Sequence, residues 1–299
     1  MFELVLFLNK WRIFMARRKR KKQGTVLSSV IVLIAIAWGL FTKAGGDPSG
    51  SQFLKDFTGN HDEQHVTNTI GDASKANKAY GGLSDVDYKK LANLNFKSGD
   101  KAFTVVNHNR STLVKNSWKV NRVIYSNLDS LNRTSRPNTA FLEKRNVAND
   151  SLRVRQFVEP TGWHYNRRNG TQIYNRGHLI AYSVSAGIDQ DGNYNPRNQS
   201  GDQNNPKNLF TQSAFSNQKI QTIFEAKVRK ALRQNKRVIY QATAIFRGNE
   251  LMARGVNLQA VSTDGSLNFN VYLYNVQPGY EFNYNNGRAK VNQQIQVNE

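Results

Sequence analysis

Tyr174-Asn175-Arg176-Gly177-His178 is the stretch on which the reading of this chain turns. Just before it, Asn169-Gly170 lies between Trp163–Arg168 and Thr171–Arg176, and Asn-Gly is the preferred pair for a two-residue β-hairpin turn. The hairpin puts His178 at or just past the end of a strand, with Arg176 beside it and Gly177 between. A histidine near neutral pH can take a proton from water. An arginine offers a planar fork of donors suited to phosphate oxygens, and a glycine lets a backbone or a ligand come close. These are parts for cutting a phosphodiester. An ordinary strand-end histidine is the plainer alternative, and the downstream sequence decides between them.

Downstream, Asn205-Pro206-Lys207-Asn208-Leu209-Phe210-Thr211-Gln212 leads into a helix expected over Asn217–Gln234. At ~100° per residue, Ile220, Phe224, Val228 and Leu232 form an apolar stripe about 120° wide. Asn217 falls in line with the middle of that stripe, where pure packing would call for an apolar residue. Glu225 lies at its edge. The helix therefore points an amide inward from its N-terminal end with a carboxylate on the adjoining side. The plain alternative is a buried asparagine satisfying backbone groups near the helix start. Lys227, Arg229, Lys230 and Arg233 suit the C-terminal dipole and offer a phosphate-facing surface.

Elsewhere, Phe103–Val106 and Trp118–Ser126 read as strands and Ala140–Asn149 as a short helix. Arg153–Val158 alternates basic and apolar residues like a half-buried strand. Ala186–Pro206 is a Gly/Asn/Asp/Pro loop whose Asp189–Asn193 fails as a calcium loop, because the position for the bidentate glutamate holds Ser200. Arg237–Phe246, Val256–Ser262 and Leu267–Val276 read as strands, the last two joined by the hairpin Thr263–Ser266. Gln277-Pro278-Gly279 ends the sheet. The fold class is α+β, with a mixed, mainly antiparallel sheet flanked by helices. His61 and His65 share a helical spacing but have no third ligand nearby. They, His108 and His164 are assigned to structural or surface roles.

The 299 residues contain no cysteine, which rules out disulfides and thiolate metal sites. Residues 1–24 hold eight Lys/Arg and one Glu, so +7 of the net +21 lies there and +14 on the remainder. Such a basic body favours polyanionic partners, nucleic acid or anionic lipid. Residues 1–14 are apolar but interrupted by charge, and Met15, just before the basic block, is the expected start. Residues 25–42 form an uncharged apolar run of 18 residues, roughly 27 Å as a helix, enough to cross a bilayer core. The expected layout is a basic cytoplasmic segment at 1–24, a transmembrane signal anchor at 25–42, a polar linker at 43–85 and a folded domain at 86–299 facing outward. Thr42-Lys43-Ala44 lacks the small-x-small pattern of a cleavage site, which favours the anchor over a cleaved signal peptide.

Taken together, Tyr174–Leu179 (YNRGHL), the asparagine-rich block around Asn205–Asn217 and Phe224–Leu232 (FEAKVRKAL) resemble the DNA/RNA non-specific endonuclease family, with its ββα-metal core. The branch most similar is that of the bacterial DNA-entry (competence) nucleases, whose tail Arg254-Gly255-Val256 and Phe269–Gly279 also resemble. The resemblance covers roughly Phe103 to Arg288. It implies His178 as general base, Asn217 as ligand of a magnesium (or manganese) ion, and Glu225 as the glutamate orienting metal-bound water. It further implies Arg176 as the motif arginine and Asn208 and Gln212 as polar residues lining the site. A second active-site arginine is carried by Arg153 or Arg155, with Arg155 and Lys227 taken as substrate-binding. The family motif most often begins with Asp, and here that position is Asn175, which keeps an oxygen acceptor but loses the charge; activity is expected to survive.

The expected function is thus a magnesium-dependent endonuclease at the outer cell surface. It would act on DNA and RNA without sequence preference, because contacts to phosphate carry no direct base information. Two alternatives stand beside it. One is a catalytically weak surface receptor for DNA, favoured by Asn175; the other is a secreted nuclease, which needs a cleaved signal.

Overall fold

The computed structural model describes residues 79–299 except 166 and 169. The anchor expected at 25–42, the basic segment before it, most of the linker, and His61 and His65 lie outside the described residues. Among the described residues, no helix is long and apolar enough to cross a membrane.

A six-stranded antiparallel sheet forms the body, in the order β1-β10-β9-β8-β3-β2. Its centre is the meander β8 (Val238–Ile245), β9 (Gly255–Ser262) and β10 (Asn268–Tyr274). Every residue of β8 and β9 is buried. The sheet is completed by β1 (Phe103–Val105), β2 (Arg122–Ile124) and β3 (Asn138–Leu142). Alternation gives it two faces of different chemistry. On one, Tyr240, Ala242, Ala244, Val256, Leu258, Ala260, Phe269 and Val271 form the main core. The alanines leave room for helix α2 (Thr222–Arg233), which lays Phe224, Val228 and Leu232 there, continuing the stripe from Ile220. Phe224 meets Phe103 edge-on at 5.3 Å and Phe269 at 5.5 Å. The apolar stripe expected from the period is thus the buried one, each large side chain contributing roughly 1.5–3 kcal/mol.

The other face carries amides as well as apolar residues: Gln241, Asn257, Gln259 and Asn270, all buried. These hold the chain that precedes and follows β1. Leu83 N–H donates to Gln241 Oε1 (3.0 Å), and Thr112 N–H donates to Gln259 Oε1 (2.9 Å). Helix α1 (Asp85–Ala92), capped by Ser84, adds Leu91 and Ala92 to a small cluster with Ile245 and Tyr272.

Two segments differ from expectation. Ala140-Phe141-Leu142, expected to be helical, lies in β3, wedged between β2 and β8 and fully buried; only a short 3₁₀ turn, Lys144–Asn146, follows. Pairing on both edges outweighs the helical propensity of Ala and Leu. Arg153–Val158 pairs with no strand. Its backbone is pinned instead by side chains, Val154 N–H to Gln203 Oε1 and Phe157 N–H to Asn204 Oδ1.

The expected hairpin is present as β4 (Arg167–Arg168) and β5 (Thr171–Gln172), with Arg168 opposite Thr171. It leads into a separate two-stranded ribbon, β6 (Tyr174–His178) against β7 (Leu209–Ser213). Ile173 and Tyr174 anchor the ribbon in an aromatic cluster with Met252 and Phe282. Phe282 comes from a further hairpin past the expected end of the sheet, β11 (Tyr280–Asn283) with β12 (Arg288–Val291). Asn275 ties β7 to the body, accepting from Ser213 N–H at 2.7 Å and donating to Thr211 O at 3.0 Å.

Gln241→Met keeps the volume but leaves the buried Leu83 N–H without an acceptor. Stability in urea is expected to fall by about 1–3 kcal/mol, with faster hydrogen exchange at the Leu83 amide. An unchanged midpoint would show that the amide face does not hold this segment.

Candidate active site

The β6–β7 ribbon is followed by a π-helical turn, Ser216–Gln221, and then by α2, so two strands and a helix converge in a ββα unit. An open cavity of about 490 Å³ lies where they meet, and His178, Asn217, Glu225, Asn175, Arg176 and Arg153 all line it.

His178 ends β6. Its Nε2 lies 3.2 Å from the carbonyl oxygen of Gln203. A carbonyl can only accept, so Nε2 carries the proton and Nδ1 holds the free lone pair. Burial pulls the imidazole pKa down to about 4; the Gln203 carbonyl opposes this and the Arg153 cation adds to it. The ring is therefore neutral near pH 7 and ready to accept a proton. The chain behind it is clamped by Asn208. Leu179 N–H donates to the Asn208 carbonyl, and Ile180 N–H donates to its side-chain oxygen at 2.8 Å.

Six side chains join β5, β6, β7 and the helix. Gln172 Nε2 donates to Asn175 Oδ1, and Asn175 Nδ2 to Asn217 Oδ1 at 2.8 Å. Asn217 Nδ2 donates to Gln212 Oε1 at 2.9 Å, and Gln212 Nε2 to Gln221 Oε1 at 2.9 Å. Gln221 Nε2 finally donates to Glu225 Oε1 (2.8 Å) and to the His178 carbonyl (2.9 Å). That end is acceptor-only, and it dictates the sense of every amide before it. The oxygen of Asn217 is thereby turned toward Asn175, with one lone pair used and one left. Gly177 is required by this packing: a Cβ there would stand 2.2 Å from Gln212 Oε1.

Burial raises the Glu225 pKa, while the Gln221 hydrogen bond and the Arg229 and Arg153 cations oppose the rise. Arg229 approaches Glu225 at 3.8 Å and also donates to Ser183 Oγ at 2.8 Å. Arg176 lines the cavity, but its guanidinium is engaged. Its Nε donates to Val158 O, it approaches Glu159 at 3.7 Å, and it stacks on Trp163 at 4.2 Å.

Four of the expected site residues do not line the cavity. Asn208 and Gln212 are wholly buried behind it, each spending its amide on the protein. Lys227 is exposed, with its ammonium 4.9 Å from the Phe224 ring. Arg155 is exposed outside the cavity, and of the two candidate arginines Arg153 lines it, held over the Tyr182 ring at 5.1 Å. The strand expected there would put both arginines on one face; the segment is irregular instead, and Arg153 alone of the two turns to the cavity. His108 and His164 are exposed and outside the cavity. Gln221 and Gln203 were not anticipated. Gln221 stands four residues before Glu225, a polar residue beside the apolar stripe, which is the one signal that could have found it.

Among the described residues no three His, Cys, Asp or Glu side chains group as a metal cage. The donor set is one free amide lone pair, one carboxylate and a neutral imidazole. It suits a hard cation that keeps most of its waters.

A sequence model of the family described as DNA/RNA non-specific endonuclease matches residues 111–264. Two solved structures are similar over most of the chain. The crystal structure of NucA from Streptococcus agalactiae with magnesium ion bound is 28% identical, with a TM-score of 0.56, covering 71% of this chain and 99% of that one. The structure of NucA from Streptococcus agalactiae with no metal bound is 30% identical, with a TM-score of 0.54, covering 70% of this chain and 98% of that one.

Gln221→Leu removes the amide that donates to Glu225 and to the His178 carbonyl and accepts from Gln212, at a position outside the cavity lining. The expected outcome is a loss of about 1–3 kcal/mol in urea unfolding and a kcat lowered roughly tenfold with KM within about twofold, a misalignment of 1.4 kcal/mol in the transition state. A purely structural role would lower stability and leave kcat of the folded fraction unchanged.

Proposed function

The chain belongs to the DNA/RNA non-specific endonuclease family, a nuclease by that membership, and from this premise we propose metal-dependent hydrolysis of DNA and RNA with His178 as general base. The observation that carries the proposal is the cavity that gathers a neutral His178, Asn217 and Glu225 within one ββα unit. Nδ1 of His178 takes the proton of the attacking water, and Nε2–H, held on the Gln203 carbonyl, keeps the ring in the tautomer that leaves Nδ1 free. Arg153 balances charge on the phosphate. Glu225 accepts hydrogen bonds from water in the cavity, and Arg176 shapes the wall through Trp163.

Asn217 would hold the metal through the lone pair that Asn175 leaves free, with Glu225 as an outer acceptor. A divalent ion bound there supplies Lewis-acid stabilisation of the phosphate and the departing 3′ oxygen. NucA, with magnesium ion bound, supports magnesium as that ion, with manganese as the alternative. The same similarity favours the DNA-entry branch. The basic block and apolar run at residues 1–42 support an anchored enzyme facing outward, acting in DNA uptake or degradation.

A second reading, a catalytically weak DNA receptor, is favoured by Asn175 in place of the usual aspartate. The two readings make opposite forecasts for one variant. Asn175→Asp puts an acceptor-only group against Asn217 Oδ1, so the amide chain is broken and kcat is expected to fall. If the missing charge had silenced the site, the same change would raise cutting instead.

The full chain is expected to cut plasmid and RNA with magnesium, to stop with EDTA, and to lose roughly 10²–10⁴ in rate with His178→Ala. Undiminished cutting by that variant would remove His178 from the mechanism. The base is deprotonated above about pH 4, so kcat/KM shows no bend at the ordinary histidine value; the acid limb begins with Glu225, whose carboxyl is raised by burial and protonates first. A bend near 6.5, the unperturbed value, would show the imidazole exposed to bulk water during turnover.

A further inference from the structure

Phe157 is 72% exposed, and among the described residues every other Phe, Tyr and Trp is at least partly buried. Its position is fixed on both sides. Phe157 N–H donates to Asn204 Oδ1 (3.0 Å) while Asn204 Nδ2 donates back to Arg155 O (3.3 Å). The neighbours of Phe157 are tied to the cavity wall. Gln156, itself a lining residue, donates to the carbonyl of Arg176 at 3.2 Å, and the carbonyl of Val158 receives the Arg176 guanidinium. The ring is thus presented to solvent by a backbone held at the rim of the site, with Arg153 and Arg155 preceding it.

A phenyl ring this exposed gains little from packing, and the restrained backbone keeps its Cα at the rim of the cavity. What such a ring can accept is a flat apolar surface, and the polymer whose phosphates enter the adjoining cavity carries one on every residue. We propose that Phe157 is a base-stacking platform. It receives an unstacked nucleobase of the strand being cut, and Arg155 beside it meets the backbone phosphate of that nucleotide. Every base offers a π-face, so the platform is compatible with cutting at any sequence while favouring strands whose bases are free to turn out. Duplex bases are stacked on one another and must first be unstacked, so the platform sets a preference for single-stranded over double-stranded substrate. This inference rests on the nuclease reading above.

The test compares Phe157→Ala, Phe157→Leu and Phe157→Trp in the full chain, on a single-stranded oligonucleotide and on the duplex of the same sequence. Phe157→Ala is expected to lower the ratio of kcat/KM for single strand over duplex about tenfold, in the range stacking on one aromatic supplies. Phe157→Leu, apolar but without a π-face, should lose as much, and Phe157→Trp should keep or raise the ratio. In the His178→Ala background, an oligonucleotide carrying 2-aminopurine should be quenched on binding, and Phe157→Ala should abolish the quenching. An unchanged ratio and unchanged quenching in Phe157→Ala would overturn the platform, as would full retention by Phe157→Leu. Absence of cutting by the unsubstituted chain would instead overturn the nuclease reading, and quenching that still depends on Phe157 would then support the platform in the receptor.

Discussion

Gln221 has no exposure at all, yet its side chain ties Glu225 and the backbone of His178 to Gln212. One amide donates to the Glu225 carboxylate and to the backbone behind His178, and accepts from Gln212. Carboxylate and carbonyl can only accept, and that chemical fact propagates backward. It orients Gln212, then Asn217, then Asn175, each of which would otherwise have two equivalent ways to sit. The free lone pair of Asn217 is aimed by a group with no access to the cavity. The π-helical turn makes this possible: its wider winding lets Asn217 reach across to β6 and β7 while Ile220, three residues on, still enters the core.

The rest of the fold holds three elements in register around that chain. Helix α2 is fixed from below by the apolar face of the sheet, and the ribbon from the side by the cluster around Tyr174. The long connection between β6 and β7 contributes Gln203 to His178 and Asn208 to the turn after it. Each of these supports is buried, whereas the cavity they surround is open. Burial among these supports, with the Arg153 cation adding to it, keeps the His178 imidazole neutral at pH 7.

Much of this was readable in advance, for identifiable reasons. The stripe Ile220, Phe224, Val228 and Leu232 follows the helical period, and β8, β9 and β10 follow strand-like patterning, so helix and meander emerge from periodicity. The Asn-Gly hairpin is set by local turn chemistry. What periodicity does not encode was missed. Ala140-Phe141-Leu142 has helical composition and becomes a strand because two neighbours pair with it. Asn208 and Gln212 have the right polarity for a cavity but lie behind it, since an amide that lines a site and one that braces it look alike in one dimension. Arg153 and Arg155 could not be told apart because residues two apart share one face of a strand, and only the irregular path of the segment separates them. The β11–β12 hairpin does alternate, in Tyr280-Glu281-Phe282-Asn283 and Arg288-Ala289-Lys290-Val291, but each run is four residues long and follows Gln277-Pro278-Gly279, whose turn chemistry reads as the end of the sheet.

The connected side chains from Gln172 to Gln221 are all neutral amides. Mobile ions weaken attraction between separated charges within about 8–10 Å at physiological strength, but they have little hold on neutral dipoles in direct contact. Capture of a nucleic acid by the basic body, in contrast, is driven by release of counterions and fades steeply as salt rises. Substrate capture and catalytic alignment are therefore governed by different physics in this molecule. Rising salt loosens a grip of that kind and leaves the contacts among the amides in place.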